Sequence, residues 1–402
     1  MKRLVCFIVA ICAVLVLAVP VMAEVAVENP DIYGGYAGKD ITLNVYNWGE
    51  YISDGADDSL NINEEFEALT GVNVQYSTFA SNEELYAKLK SGGSQYDVII
   101  PSDYMISRMI KEDMLEPLDF SRIPNFSMIM DEFKNPNYDP ENKYSVPYMW
   151  GTVGIIYNTE MVTKPVTSWD ILWDETYKGK ILMFSNSRDA FGISLLRLGY
   201  SLNTEDEAQI RAASDELKKQ KPLVQMYVMD EIFDKMQGGE AAIAPYYAGD
   251  AITMMETNPK LAYAVPEEGT NRFVDAMCIP KGAPNKEVAE LYINFMTETE
   301  VAAANCEYIG YSTPQRETYK ILDSEITGNE IAYPSEEVLA KTESFINLSD
   351  STNALIDSLW TELLGANAKS SSWMILVLLA VAVAIAVGLP IYRKAKKNRQ
   401  NY

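Results

Sequence analysis

Between residues 41 and 100, segments with the period of a strand alternate with segments with the period of a helix, and this alternation restricts the possible folds more than any other feature. Ile41-Thr-Leu-Asn-Val-Tyr46 reads as a strand, and Glu64-Glu-Phe-Glu-Ala-Leu-Thr70 reads as a helix stopped by Gly71. Val72-Asn-Val-Gln-Tyr76 is the next strand. Ser81 followed by Glu84 forms a capping box that opens a helix with Leu85 and Leu89 on one face, ended by Gly92-Gly93. Tyr96-Asp-Val-Ile-Ile100 has the unbroken apolar character of a buried parallel strand. Such a βαβαβ series predicts an open α/β sheet, in which ligands sit beyond the carboxyl ends of the strands. Those ends are Asn47-Trp48-Gly49-Glu50-Tyr51 and Pro101-Ser102-Asp103-Tyr104.

Composition removes most catalytic readings. The chain has no histidine, which excludes Ser-His-Asp and Cys-His chemistry and every His-containing zinc site. Its cysteines, Cys6, Cys12, Cys278 and Cys306, lack C-x-x-C spacing. Cys278 and Cys306 could form a disulfide or remain two buried thiols. The Gly-rich Tyr33 to Gly38 stretch precedes the first strand, so it reads as linker rather than as a phosphate turn. Lys178-Gly179-Lys180 lacks the upstream glycine and following Ser or Thr of a P-loop. Neighbouring acids such as Glu64-Glu65 and Glu267-Glu268 do not converge on one bond, and no EF-hand spacing appears. No catalytic residue, metal or cofactor is expected.

Both ends carry targeting signals. Met1-Lys2-Arg3, the apolar run Leu4 to Val19 and the small residues before Ala23 read as a secretory signal peptide over residues 1–23, with an uncleaved anchor as the alternative. Trp373 to Tyr392 is a run of 20 residues without a charge, followed by Arg393, Lys394, Lys396, Lys397 and Arg399. It is long enough to cross a membrane as a helix, and the basic cluster predicts that the tail at 393–402 stays cytoplasmic. The expected location is therefore the cell membrane, tethered to the lipid bilayer through the C-terminal helix, with the bulk of the chain on the extracellular or periplasmic side and a leash at 367–372. Without the basic residues of the two ends, 26 Lys and Arg face 57 Asp and Glu, a formal charge of −31. That disfavours nucleic acid as a partner and weakly favours a cationic ligand, while solubility alone would also account for it.

Five motifs follow in register: Asn47-Trp48-Gly49-Glu50-Tyr51, Tyr96 to Ser102, Val146-Pro147-Tyr148-Met149-Trp150-Gly151, Thr167-Ser168-Trp169 with Tyr177-Lys178-Gly179-Lys180, and Ile309-Gly310-Tyr311-Ser312-Thr313-Pro314. Together they closely resemble the spermidine/putrescine-binding proteins, the extracellular receptors of polyamine ABC importers, over roughly residues 40 to 350. The resemblance implies an α/β, two-lobed periplasmic-binding-protein-like (type II) fold with a hinge, to which the sequence adds a C-terminal transmembrane helix. Lobe one is expected at 39–150 and 274–319 and lobe two at 151–273 and 320–366, after a linker at 24–38. A monomer that binds a polyamine in the interlobe cleft and delivers it to an ABC permease is implied.

The ligand's chemistry explains the residue types independently. Ammonium groups joined by methylene chains call for carboxylates at intervals with aromatic faces between them. Carried over from the resemblance, Trp48 and Tyr51 form an aromatic wall with Glu50 as a candidate ammonium acceptor, and Ser102 and Tyr104 lie on the loop after the third strand. Asp189, Tyr247, Asp250, Phe273, Asp275 and Tyr311 complete the site. Without the family, the aromatic residues read as core packing and Glu50, Asp189 and Asp250 as solvated acids or helix caps. Asp275 differs: it lies in an apolar stretch between Phe273-Val274 and Ala276-Met277-Cys278-Ile279, where a buried acid needs a partner. Asn186 stands where spermidine binders place an aspartate, and Phe345 near their glutamine. Asp250 and Phe273 pull towards putrescine, so chain length stays open, as do another solute such as a sugar or amino acid and a surface sensor or adhesin.

Overall fold

The computed structural model describes residues 25–92 and 95–365. The signal segment, the leash, the apolar run at 373–392 and the basic tail lie outside the described residues. Among the described residues, no helix is long and apolar enough to cross a membrane.

The first strands arise where the alternation places them. Strand β1 (Thr42–Trp48) pairs in parallel with β2 (Asn73–Phe79) and with β3 (Val98–Ile99). The intervening helix Ile62–Thr70 is opened by the Asn61 side chain, which accepts from the Glu64 amide, and closed by Gly71 in the left-handed region. Ser81 accepts from the Glu84 amide at 3.1 Å, so the capping signal does start the helix Asn82–Lys90.

The remaining strands are β4 (Ser145–Asn158), β5 (Ile181–Phe184), β6 (Val224–Val228), β7 (Ile243–Tyr247), β8 (Leu261–Ala264), β9 (Thr270–Cys278) and β10 (Thr342–Glu343). Their order is β2-β1-β3-β9-β4-β7-β5-β6, with β8 beside β4 and β10 beside β9. The 14-residue β4 makes this one path out of two lobes. Residues Ser145 to Thr152 pair antiparallel with β9, whereas Val153 to Asn158 pair with β7 and β8. Nearly all of β4 is buried, as its apolar sequence requires. The protein is thus an α/β, two-lobed molecule whose lobes share β4 and β9, and the C-terminal ends of β1, β3, β5, β6 and β7 point into the space between them. The helix Asp350–Gly365 packs on the second lobe, where Trp360 meets Phe191 and Tyr227 and Lys218 pairs with Glu362 at 3.2 Å.

One expectation is overturned and one open alternative is decided. Residues 25–38 are not a free linker. Tyr33 is fully buried edge-on against Phe295 and donates its hydroxyl to Glu298, and the Glu28 amide donates to the same carboxylate at 2.7 Å. The glycines of this segment bend the chain, but one tyrosine ring in the core holds it down. Cys278 and Cys306 are both free, buried thiols, so the disulfide alternative falls.

Candidate ligand-binding cavity

Strand ends deliver the functional side chains, because a strand's last residue is followed by a loop or helix start that faces the gap between lobes. Trp48 closes β1, and its indole donates to the Ile100 carbonyl at 2.9 Å, which holds the ring upright. Ser102 caps the helix that follows β3, held by Asn82 through two hydrogen bonds of 3.1 Å. Asp189 and Asp250 lie in the first turns of the helices after β5 and β7. Asp275 comes from within β9, where it bridges to Ser102. All of these line a single cavity with Tyr51, Tyr104, Tyr247, Phe273 and Tyr311. The space they enclose is narrow, about 50 Å³.

The walls are a connected set of rings. Tyr51 meets Tyr311 edge-on at 4.7 Å, Tyr247 meets Phe273 at 5.4 Å, and Phe273 lies 6.2 Å from Tyr311. A Cβ at position 249 would fall 2.1 Å from the Tyr311 ring, so only glycine lets that ring seat where it does. Phe345 lines the same cavity and meets Tyr104 edge-on.

Electrostatically the cavity is short of cations. The Tyr51 hydroxyl donates to Asp275 Oδ2 at 2.8 Å, while Asp275 Oδ1 is buried without a partner. Asp189 Oδ2 accepts from Asn186 at 2.7 Å and from the Tyr247 hydroxyl at 2.8 Å. Burial pushes the Asp275 carboxyl up to about 6, against the hydrogen bonds of Ser102 and Tyr51 that favour its ionised form. Burial likewise raises Asp189, and it lifts Asp250 well above the usual carboxylate range. Arg188, whose charge favours ionised Asp189, stacks on the rings of Phe345 and Tyr104 and donates to the Ile346 carbonyl. Acids gathered in a buried, ring-walled space, with no ion-pair partner among the described residues, favour any cation that can enter.

Ten of the eleven candidate residues meet at this cavity. Glu50 does not. It is exposed, with φ of 47°, and faces an outer groove instead. Strand alternation would put Glu50 on the same side as Trp48, but β1 ends at Trp48 and Glu50 takes a left-handed backbone, which turns its side chain away from the cavity. Glu50→Gln is accordingly expected to leave ligand affinity within about twofold, since the charge is screened by solvent; a tenfold loss in calorimetry would place Glu50 at the ligand after all. Sequence reading missed Asn82, Asp103, Met229, Asp230, Tyr246 and Asn271. Asp103 is visible in Pro101-Ser102-Asp103-Tyr104 and is held mostly protonated near neutral pH, because burial pushes it up to about 8. Asp230 follows β6 with no flanking motif to mark it.

The comparisons with known proteins agree with this geometry. Residues 94–341 match the family described as bacterial extracellular solute-binding protein. The chain belongs to that family. This solute-binding protein is 37% identical over 310 residues to the spermidine/putrescine-binding periplasmic protein of Salmonella typhimurium, covering 77% of this chain and 87% of that one. It is 31% identical to the putrescine-binding periplasmic protein SpuD of Pseudomonas aeruginosa, covering 81% and 93%. Among solved structures, the spermidine/putrescine ABC transporter substrate-binding protein PotD of Streptococcus pneumoniae superposes with a TM-score of 0.67 at 40% identity, covering 81% of this chain and 98% of that one. The family binds solutes and does not catalyse reactions on them.

Proposed function

We propose that this solute-binding protein takes up a polyamine, spermidine or putrescine, between its lobes outside the cytoplasm and hands it to an ABC permease. The observation that carries this reading is the unpartnered, buried Asp275 Oδ1 in a cavity that also gathers Asp189 and Asp250 between aromatic walls. Ammonium groups supply the missing partners, and the rings cover the methylenes while adding about 0.5–2 kcal/mol of cation–π attraction each. The hydroxyls of a neutral sugar could donate to these carboxylates but would leave their buried charge uncompensated. The spermidine and putrescine named for the relatives agree with this chemistry. Titrating residues 24–372 with putrescine, spermidine and spermine while following tryptophan fluorescence tests it. A saturable change at micromolar concentration or below is expected, and a flat response to all three would end the reading. Unchanged uptake of labelled polyamine in a strain lacking the protein would remove the transport role.

Proton competition gives an independent test. A cation binds the ionised form of Asp275, whose carboxyl titrates at about 6 in the empty cavity. Affinity is therefore expected to fall at least tenfold between pH 7 and pH 5 through Asp275, and protonation of Asp189 and Asp250, which burial also raises, adds to the fall. Calorimetry at the two pH values reads this directly, and equal affinities would mean that Asp275 does not face the cation.

The same reading includes a monomer made of lobe one at 39–150 and 274–319 and lobe two at 151–273 and 320–366, closing about the shared strands. It also includes export by residues 1–23 and tethering by 373–392. The length of that charge-free run and the five basic residues behind it support tethering. Full-length protein should stay with membranes through an alkaline wash, whereas a chain stopped at 372 should be released.

A further inference from the structure

The polyamine reading leaves two acidic residues at the cavity unused, Asp103, which burial keeps mostly protonated, and Asp230. Asp230 follows β6 and lines the ligand cavity. It also lines the outer groove with Glu50, Asp57, Asp234, Glu256 and Glu307, so it stands where the cavity opens outward. Asp230 is exposed as a residue, yet its carboxylate reaches across the gap to the other lobe. A Cβ on Gly49 would lie 2.0 Å from Asp230 Oδ2, so the carboxylate occupies the space that any other residue at 49 would fill. Gly49 has no left-handed backbone that would itself demand glycine, which leaves the approach of Asp230 as the reason a side chain does not fit there.

The carboxylates also act on one another. Asp275 feels Asp189, and Asp250 feels Asp230, Glu50 and Asp275. Asp230 in turn feels Glu50, beyond the mouth, and its own neighbour Glu231. Asp189, Asp275, Asp250 and Asp230 all line the cavity, and of these only Asp230 also lines the outer groove. A diamine offers two positive groups to this set, and a triamine offers three.

We propose that Asp230 accepts the outermost ammonium group of a triamine, in room made by Gly49, and so tilts this cavity towards spermidine over putrescine. This rests on the polyamine reading and deepens it. Asn186, an amide, supplies no third charge, and its Nδ2 donates to Asp189 and to the Tyr247 hydroxyl. The additional carboxylate is supplied instead where the cavity meets the outer groove. Asp230 has no Lys or Arg within ion-pair distance among the described residues, and burial of its carboxylate against the facing lobe raises it above the usual range. An ammonium group would relieve both.

The test is calorimetric titration of residues 24–372 with spermidine and putrescine in the wild type, Asp230→Asn, Asp230→Ala, Gly49→Ala and the Gly49→Ala/Asp230→Ala pair. Asp230→Asn is expected to weaken spermidine tenfold or more and putrescine by a smaller factor, so that the affinity ratio of the two falls at least fivefold. Gly49→Ala should cause a similar selective loss with Asp230 present and no further loss once Asp230 is alanine, because its only fault is to displace that carboxylate. An unchanged ratio in Asp230→Asn would overturn the assignment, and additive losses in the pair would overturn the role of Gly49. If the wild type bound neither amine, the polyamine reading itself would fail; if it bound both and Asp230→Asn changed them equally, only this inference would fail. Unaltered thermal midpoints, expected for an exposed acid, keep misfolding from imitating either result.

Discussion

Asp275→Asn is expected to weaken polyamine binding tenfold or more while making the empty protein more stable. The two effects have one cause. Asp275 is 5% exposed, and burial holds its carboxyl at about 6 where an ordinary aspartate titrates at 3.8. A raised carboxyl binds its proton more tightly in the folded state than in the unfolded one. Its contribution to stability is therefore present at low pH and is lost as pH rises through about 6. At pH 7.5 the ionised side chain costs the empty fold on the order of 3 kcal/mol, by 1.36 kcal/mol per unit. Asparagine keeps the shape, can still accept from Tyr51, and removes the charge. A rise of a few degrees in the melting temperature of the empty protein, together with loss of ligand affinity, is the expected pair of observations. A variant that bound as well as the wild type, or one that melted lower, would contradict the view that this carboxylate is held strained for a cation.

Trp48→Ala has the second largest expected effect, again tenfold or more in affinity. The indole packs on Phe79 at 4.6 Å and donates to the Ile100 carbonyl, so it stands at a fixed angle on the cavity wall. Removing it deletes a cation–π face and opens a void beside the ligand's methylenes. Trp48→Phe keeps a face but drops the indole hydrogen bond, and should fall between the two. The ordering wild type, Phe, Ala in dissociation constants is the result to look for. Alanine equal to wild type would mean that the ring packs the lobe and does not touch ligand.

The strand and helix pattern over residues 41–100 was readable in sequence because each element there depends on neighbours within a few residues. Ser81 and Glu84 form their cap locally, and Gly71 stops its helix locally. Asp275 could be singled out for the same reason, since an acid inside an apolar strand is anomalous wherever the strand goes. Tyr33 could not be read as core, because its partners Phe295 and Glu298 lie more than 260 residues away and the glycines around it look like a tether. Glu50 was placed at the ligand on the strength of its motif, yet motif membership does not say on which side of the chain a carboxylate emerges.

What the amino-acid order determined by itself is the alternation over residues 41–100 that builds an α/β sheet, the absence of histidine chemistry, and the acidic and aromatic residues at strand ends. Tertiary structure alone decided which of those residues share a cavity. Asp230 faces Gly49 only because strands 180 residues apart in the chain end on opposite sides of one gap, and whether a carboxylate is stranded or solvated depends on what the facing lobe places against it. Local preference acts along a few residues, whereas burial and charge pairing are set by whatever the completed fold brings near.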